Sequence, residues 1–431
     1  MTINIVSLGC SKNIVDSEKL LKQLEINKFE IHHNSDQLTD VVIINTCGFI
    51  LDAKTESIET ILSYCRAKQS GLIQKLFVMG CLSERYKDSL KQEIPEVDEF
   101  FGVNDISTIL KSLGGKYHAG FIHSRFLTTP SHYAYLKISE GCNRSCSFCA
   151  IPLIRGRQRS ISVENLILEA TELANSGVKE IMLIAQDLTS YGTDLYKSKM
   201  LIPLVEKLSA VQGIEWIRLH YAYPDELQME ELCDLMINNK KICHYIDIPF
   251  QHINQNILQR MRRGHGTEEV LDIINFMRKK VPDICIRSSF ITGFPGETEV
   301  EFKELYEFVK SVRFDRLGVF TYSHEKDTPA DFELKDDVPE KIKVRRMEEI
   351  MKLQESISHE KNYAKIGETC KVIIDGEEGE FYRGRTEFDS PEIDQEVLIP
   401  KSHKKLEIGN FYQIKFTNAL EFDLFGEPVM I

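Results

Sequence analysis

The chain has 431 residues, 53 basic and 66 acidic for a net charge of -13, with 42% hydrophobic and 28% charged residues. At roughly 100 to 200 residues per domain that length calls for two to four folded units, and the composition excludes a disordered or collagen-like protein. The acidic balance argues against a general affinity for nucleic acid phosphates. No stretch approaches roughly 18 consecutive apolar residues and no basic segment precedes the run from Met1 to Leu8, so a cytoplasmic protein without membrane contact is expected.

In chain order, the first hundred residues alternate apolar runs with helical patterns: Ile3 to Leu8 then Ser17 to Leu24, Val41 to Asn45 then Ala53 to Cys65, Leu76 to Met79 then Ser83 to Gln92. Such alternation predicts an α/β unit with an open parallel sheet over residues 1–115. The loop from Gly114 to His132 separates it from a second unit, residues 133–363. There, six strand candidates, each followed by a helical pattern, begin at Ala134, Glu180, Trp216, Tyr245, Ile284 and Arg316. Six such units predict a partial (β/α)6 barrel with its working face at the carboxyl ends of the strands. Pro339 to Ala364 is charged and periodic and predicts a long exit helix. Five short β-type runs follow (Cys370 to Ile374, Phe381 to Thr386, Glu396 to Pro400, Tyr412 to Phe416, Pro428 to Ile431), predicting a small antiparallel, OB-like barrel over 366–431.

Eleven cysteines in a cytosolic chain are expected as reduced thiols, and two sets have telling positions. Cys10, Cys47 and Cys81 each sit just past the end of a predicted strand, so the sheet brings them to one edge. Cys142-Asn-Arg-Ser-Cys146-Ser-Phe148-Cys149 places three thiols at steps of four and three after the first barrel strand, a loop able to wrap one corner of an iron-sulfur cube. Structural zinc wants four ligands, whereas three thiolates on a cube leave one iron open. Cys65, Cys233, Cys243, Cys285 and Cys370 are expected to pack as small hydrophobes.

The Cys142 motif, with its aromatic before the last cysteine, resembles the radical S-adenosylmethionine enzymes. That resemblance implies an open iron binding the cofactor's amino and carboxylate groups, and an electron cleaving it to a 5'-deoxyadenosyl radical. With the first three cysteines and the terminal barrel, of the type called TRAM, the whole chain resembles the methylthiotransferases. Leu8-Gly-Cys-Ser-Lys-Asn-Ile-Val-Asp-Ser-Glu18, Asn45-Thr-Cys-Gly-Phe-Ile-Leu-Asp-Ala-Lys-Thr-Glu-Ser57, Ile217-Arg-Leu-His-Tyr-Ala-Tyr-Pro224 and Asp247-Ile-Pro-Phe-Gln-His252 resemble the protein-modifying, RimO-type branch. The tRNA branch usually has Gln-Met-Asn in place of Ser11-Lys12-Asn13. The resemblance implies two 4Fe-4S clusters and S-adenosylmethionine as cofactors, an external electron donor, and methylthiolation of an aspartate β-carbon in small-subunit ribosomal protein uS12. Cys142, Cys146 and Cys149 would generate the radical; Cys10, Cys47 and Cys81 would deliver sulfur. Modification of a tRNA adenosine and a non-catalytic iron-sulfur protein are the alternatives, the latter disfavoured because electron carriers usually ligate each cube with four cysteines.

Further cofactor-contact candidates are Phe148, Gln186 and Asp187 after the second barrel strand, Arg218, Gln251, and Gly293-Phe294 in the Gly293-Phe-Pro-Gly-Glu297 segment. Gln186 and Asp187 stand where the wider superfamily often carries Gly-Gly-Glu. Tyr221 and His252 are expected at the barrel mouth. Arg144, Arg155, Arg157 and Arg159 lie in a stretch without acids, placed to offset a thiolate-ligated cube or to hold an anionic substrate group. From Lys365 to Ile431, 8 basic and 14 acidic residues leave -6. That charge disfavours tRNA as a partner of this domain and suits a basic ribosomal protein, with Glu387, Asp389, Glu392, Asp394 and Glu396 as the expected contact. A monomer is expected.

Overall fold

Alternation along the first apolar runs feeds two separate cores. In this computed structural model, which describes residues 1–37, 39–402 and 405–429, the strands Thr2–Ser7, Val41–Thr46 and Lys75–Gly80 pair in parallel. Ile3, Ile5, Ile43, Phe77 and Met79 face one layer of helices, Val42, Ile44, Leu76 and Val78 the other, as the two-residue period of a strand requires. Two edge strands, Glu30–His33 and Glu99–Phe100, complete the five-stranded sheet. They carry no apolar run, which is why the sequence pattern does not mark them.

The second unit holds six parallel strands in sequential spatial order: Tyr133–Lys137, Glu180–Ile184, Trp216–Leu219, Ile242–Asp247, Cys285–Thr292 and Arg316–Thr321. One side of each strand (Leu136, Ile181, Leu183, Ile217, Leu219, Ile246, Ile286) packs on the surrounding helices. Helix Glu340–Ala364 leaves the barrel along its last two strands. The alternate residues are unusual for a barrel interior: Glu180, Arg218, His220, Asp247 and Ser288 are buried polar groups in or beside these strands.

The terminal unit answers that polarity. Thr369–Glu378, Phe381–Thr386, Glu396–Pro400, Asp423–Pro428 and Phe411–Ala419 close into a five-stranded barrel. The last strand is Asp423–Pro428 rather than Pro428 to Ile431, of which Met430 and Ile431 lie outside the described residues, and it runs parallel to Glu396–Pro400. Gly426 disguises it in sequence, yet a Cβ there would meet Ile414 Cγ2 at 2.4 Å, so the close pairing needs glycine.

The acids between Glu387 and Glu396, expected on the surface as a partner contact, are instead largely used within the chain. Asp389 pairs with Arg316, with Nε at 3.0 Å, and Asp394 takes the Tyr245 hydroxyl at 2.9 Å and Arg287 Nε at 3.2 Å. Glu392 accepts from the Tyr133 hydroxyl at 3.3 Å, and Glu387 accepts the His244 backbone N–H at 3.2 Å. Glu396 pairs with Arg383 inside the small barrel. Burying these arginines without partners would cost more than ordering the loop, so the 387–395 segment seats against the strand-start end of the concave face.

Arg218 belongs to the same network. Its Nε donates to Glu180 at 2.8 Å and its Nη1 to the Glu387 carbonyl at 2.6 Å, while Arg385 Nη2 takes the other Glu180 oxygen at 2.8 Å. Fully buried and so engaged, Arg218 does not join the mouth where a cofactor contact was expected. Burial alone would raise the Glu180 carboxyl, but Arg385 and Arg218 outweigh it and hold it below its usual value; Arg385 does the same for Asp375 and Arg316 for Asp389. Depressed carboxyls contribute stability that is complete above their unfolded values near 4 and is lost as pH falls through the folded ones. The thermal midpoint is therefore expected to fall progressively below about pH 4. A profile flat from pH 6 to pH 3 would contradict this electrostatic seam.

Candidate functional site

The sheet of the first unit brings Cys10, Cys47 and Cys81 to one edge. Cys10 caps helix Ser11–Ile26, Cys47 follows strand Val41–Thr46, and Cys81 opens helix Cys81–Glu93. Two of the thiols thus start helices. Gly9, at φ +86°, allows the approach, since a Cβ there would lie 2.6 Å from Cys47 Cβ. Burial pushes the Cys81 thiol up to about 12, opposed by Arg155 and reinforced by neighbouring Cys10 and Cys47.

The second triplet lies in the loop after the first barrel strand. The Cys142 N–H donates to the Gly156 carbonyl at 3.1 Å, the Cys149 N–H to the Cys146 carbonyl at 3.2 Å, and Ser147 ties the loop to Met261 and Arg260. Burial raises Cys142 to about 11 and Cys149 to about 12. Tyr223 lies between two guanidinium groups, Arg144 at 3.7 Å and Arg263 at 4.3 Å from its ring centre, and Arg263 Nη1 reaches Cys146 Sγ at 3.5 Å. Arg263 escapes the sequence reading and Tyr223 stands in a quoted segment without a role, because they are over a hundred and over seventy residues, respectively, from the cysteine motif they attend.

Among the described residues no group of three or more ligating side chains closes on a single ion. In a cube each thiolate binds its own iron, so a triplet need not close on one ion. Both triplets fit as donor sets: three thiols each, with guanidinium groups at hand to balance a thiolate-bound cluster.

The four arginines of the acid-free stretch have separate fates. Arg155 is buried and crosses to the first unit, donating to Asn13 Oδ1 at 2.6 Å and to Cys81 Sγ at 3.3 Å while pairing with Glu140 and Asp16. It therefore attends the Cys10 set rather than the adjacent triplet. Arg144 pairs with Asp187 at 2.7 Å. Arg157 and Arg159 are exposed and, with Glu84, Asn104 and Leu153, line a shallow cavity of about 430 Å³ between the first two units.

Other expected contacts divide similarly. Gln186 donates to Glu140 at 3.1 Å and keeps a buried Oε1 without a partner. Phe148 packs edge-on to Phe294, centres 6.4 Å apart, and Phe294 in turn to Tyr322. Gly293 has φ +73° and a Cβ there would lie 2.1 Å from Lys343 Cγ. Gln251, at φ +74°, bridges to the strand Cys285–Thr292 through its backbone. His252 is wholly buried, accepting the Asn254 N–H at 3.0 Å with Glu297 3.3 Å from Nε2, so it braces the fold rather than facing the mouth.

Residues 2–102 match an uncharacterized protein family termed UPF0004, 136–309 the radical SAM superfamily and 366–429 the TRAM domain. The chain is 51% identical over 429 residues to the ribosomal protein uS12 methylthiotransferase RimO of Christiangramia forsetii, covering 100% of this chain and 94% of the relative. It is 52% identical to the enzyme of that name from Bacteroides fragilis strain YCH46, covering 99% of each. Among solved structures it is similar to the radical S-adenosylmethionine methyltransferase TsrM of Kitasatospora setae (TM-score 0.54, 12% identity, 77% of each chain). It is also similar to the cobalamin-dependent radical enzyme OxsB (TM-score 0.51, 14% identity, 81% of this chain and 56% of that one). At such identities the structural likenesses speak to the fold alone.

Proposed function

Because this chain belongs to the ribosomal protein uS12 methylthiotransferase family and is a radical SAM enzyme, we propose that it adds a methylthio group to the β-carbon of an aspartate in uS12. The observation that carries the reading is the pair of thiol triplets on different units, joined through Arg155. Cys142, Cys146 and Cys149 hold one 4Fe-4S cluster and Cys10, Cys47 and Cys81 a second. When bound, these groups supply the electron that cleaves S-adenosylmethionine and the sulfur that is transferred. An external donor provides the electron, and the chain acts as a cytoplasmic monomer.

The protein's own groups do the rest. Arg155 and Arg263 place positive charge against Cys81 and Cys146, where it would balance a thiolate-bound cluster. Gln186 keeps a free acceptor for the cofactor's amino group, and Phe148, packed edge-on against the buried Phe294, offers an apolar face for its adenine. Asp187, fixed by Arg144 and Thr189, orients the same loop. No helix is long and apolar enough to cross a membrane among the described residues.

Full-length protein, reconstituted anaerobically with reductant and S-adenosylmethionine, is expected to add one methylthio group to uS12, read by mass spectrometry of the aspartate-bearing peptide. Modification of tRNA adenosine with none on uS12 would transfer the assignment to the tRNA branch. Because most of the acids from Glu387 to Glu396 are engaged within the chain, the test uses the whole protein.

A further inference from the structure

Lys12 occupies an odd position for a lysine. It lies in the first turn of helix Ser11–Ile26, two residues past Cys10, and only 8% of it is exposed. Its ammonium rests 3.4 Å from the centre of the Tyr221 ring, itself held at φ +64°. Among the described residues no carboxylate oxygen lies within 4.0 Å of it and no hydrogen bond engages it. A buried cation whose one close contact is a π face keeps all three of its donors for something else.

Across from it, at the end of strand Ile242–Asp247, Asp247 is 1% exposed and neither carboxylate oxygen has a hydrogen-bond partner; Arg287 comes only to 3.6 Å. Lys12 and Asp247 are close enough for each charge to act on the other without touching. Gln186 leaves its own buried oxygen open after the neighbouring strand. A lysine with no anionic contact and a carboxylate with no hydrogen bond, on the first helix and a strand end, would be costly in a folded protein unless a ligand completes them.

We propose that Lys12 is the counter-charge for the side-chain carboxylate of the substrate aspartate, and that Asp247 accepts backbone N–H groups of the peptide carrying it. This rests on the uS12 reading above. The cation lies beside Cys10, the end of the site from which sulfur is delivered, and a β-carbon is one bond from the carboxylate it would fix. Tyr221 sets the ammonium's height while leaving its N–H groups free.

The test compares anaerobically reconstituted full-length enzyme and its Lys12→Met and Lys12→Arg variants, using uS12 and uS12 whose target aspartate is replaced by asparagine. Wild type is expected to bind the aspartate protein roughly 10- to 100-fold more tightly than the asparagine one, the range of a charge-assisted hydrogen bond. In Lys12→Met that ratio collapses toward one and KM for uS12 rises far more than kcat falls, while iron content stays at the wild-type level. Lys12→Arg recovers part of the ratio. An unchanged ratio in Lys12→Met, lost iron, or weakened affinity for S-adenosylmethionine with discrimination intact would each overturn the assignment. Failure of wild type to modify uS12 would instead refute the underlying reading, so the two failures are distinguishable.

Discussion

Replacing Cys142, Cys146 and Cys149 together with alanine is expected to lower iron from about eight to about four per chain and to abolish 5'-deoxyadenosine formation, four irons per cube being the premise. The effect is all or none because the three thiols are donors to one group and share one loop, tied at Gly156, Met261 and Arg260. The same replacement at Cys10, Cys47 and Cys81 should remove an equal amount of iron and end methylthiolation while some cofactor cleavage persists. The two sets stand on different units, with Arg155 as a shared contact rather than a shared ligand. Iron analysis and chromatography of the cleavage products check both. Cofactor cleavage surviving in the first variant, or methylthiolated uS12 from the second, would reverse the assigned roles.

Glu180→Gln is the second change expected to have a large effect, on stability. Glu180 is the carboxylate that pairs with both Arg218 and Arg385, and all three are at least 98% buried. Removing the charge leaves Arg218 with carbonyl partners only. Breaking a buried pair from one side typically costs about 3–5 kcal/mol, a large part of the roughly 5–15 kcal/mol that holds a domain folded. The variant should unfold at distinctly lower urea and expose the junction after residue 364 to protease. A loss below about 1 kcal/mol would mean that water or relaxed neighbours replace the carboxylate, and that the seam is less dry than its geometry implies.

What the sequence made legible follows the range over which each signal acts. Apolar alternation is local, so the three central strands of the first sheet and the six barrel strands emerge from runs such as Val41 to Asn45 and Glu180 to Ala185. Cysteine spacing is local too for Cys142, Cys146 and Cys149. Strand-end placement extends that reach to Cys10, Cys47 and Cys81 because a parallel sheet aligns its ends. Polar partnerships across the fold have no such signal. Arg218 looks like a mouth residue because it sits in a barrel strand, yet its partners include the Glu387 carbonyl, 169 residues away. Asp389 and Asp394 look like a free acidic surface until the arginines of strands Arg316–Thr321 and Cys285–Thr292 are seen opposite them. Lys12 stood in a quoted motif with no role beyond marking the branch, since its burial against Tyr221 is a property of three dimensions.

The seating of residues 387–395 against the concave face has a consequence for biosynthesis. Ribosomes deliver the chain from its amino end, so all six barrel strands emerge before the loop whose carboxylates pair with Arg287 and Arg316 exists. Until then the nascent barrel carries guanidinium groups on a wall it cannot dry, and the helix Glu340–Ala364 separates that wall from its missing partner by the time needed to make 25 more residues. Closure of the strand-start end of the barrel is thereby deferred until the 387–395 loop has been made. A nascent chain stalled or nicked before residue 386 would keep all six strands yet leave Arg287 and Arg316 without the Asp394 and Asp389 carboxylates, which couples the drying of the barrel wall to synthesis of the terminal unit.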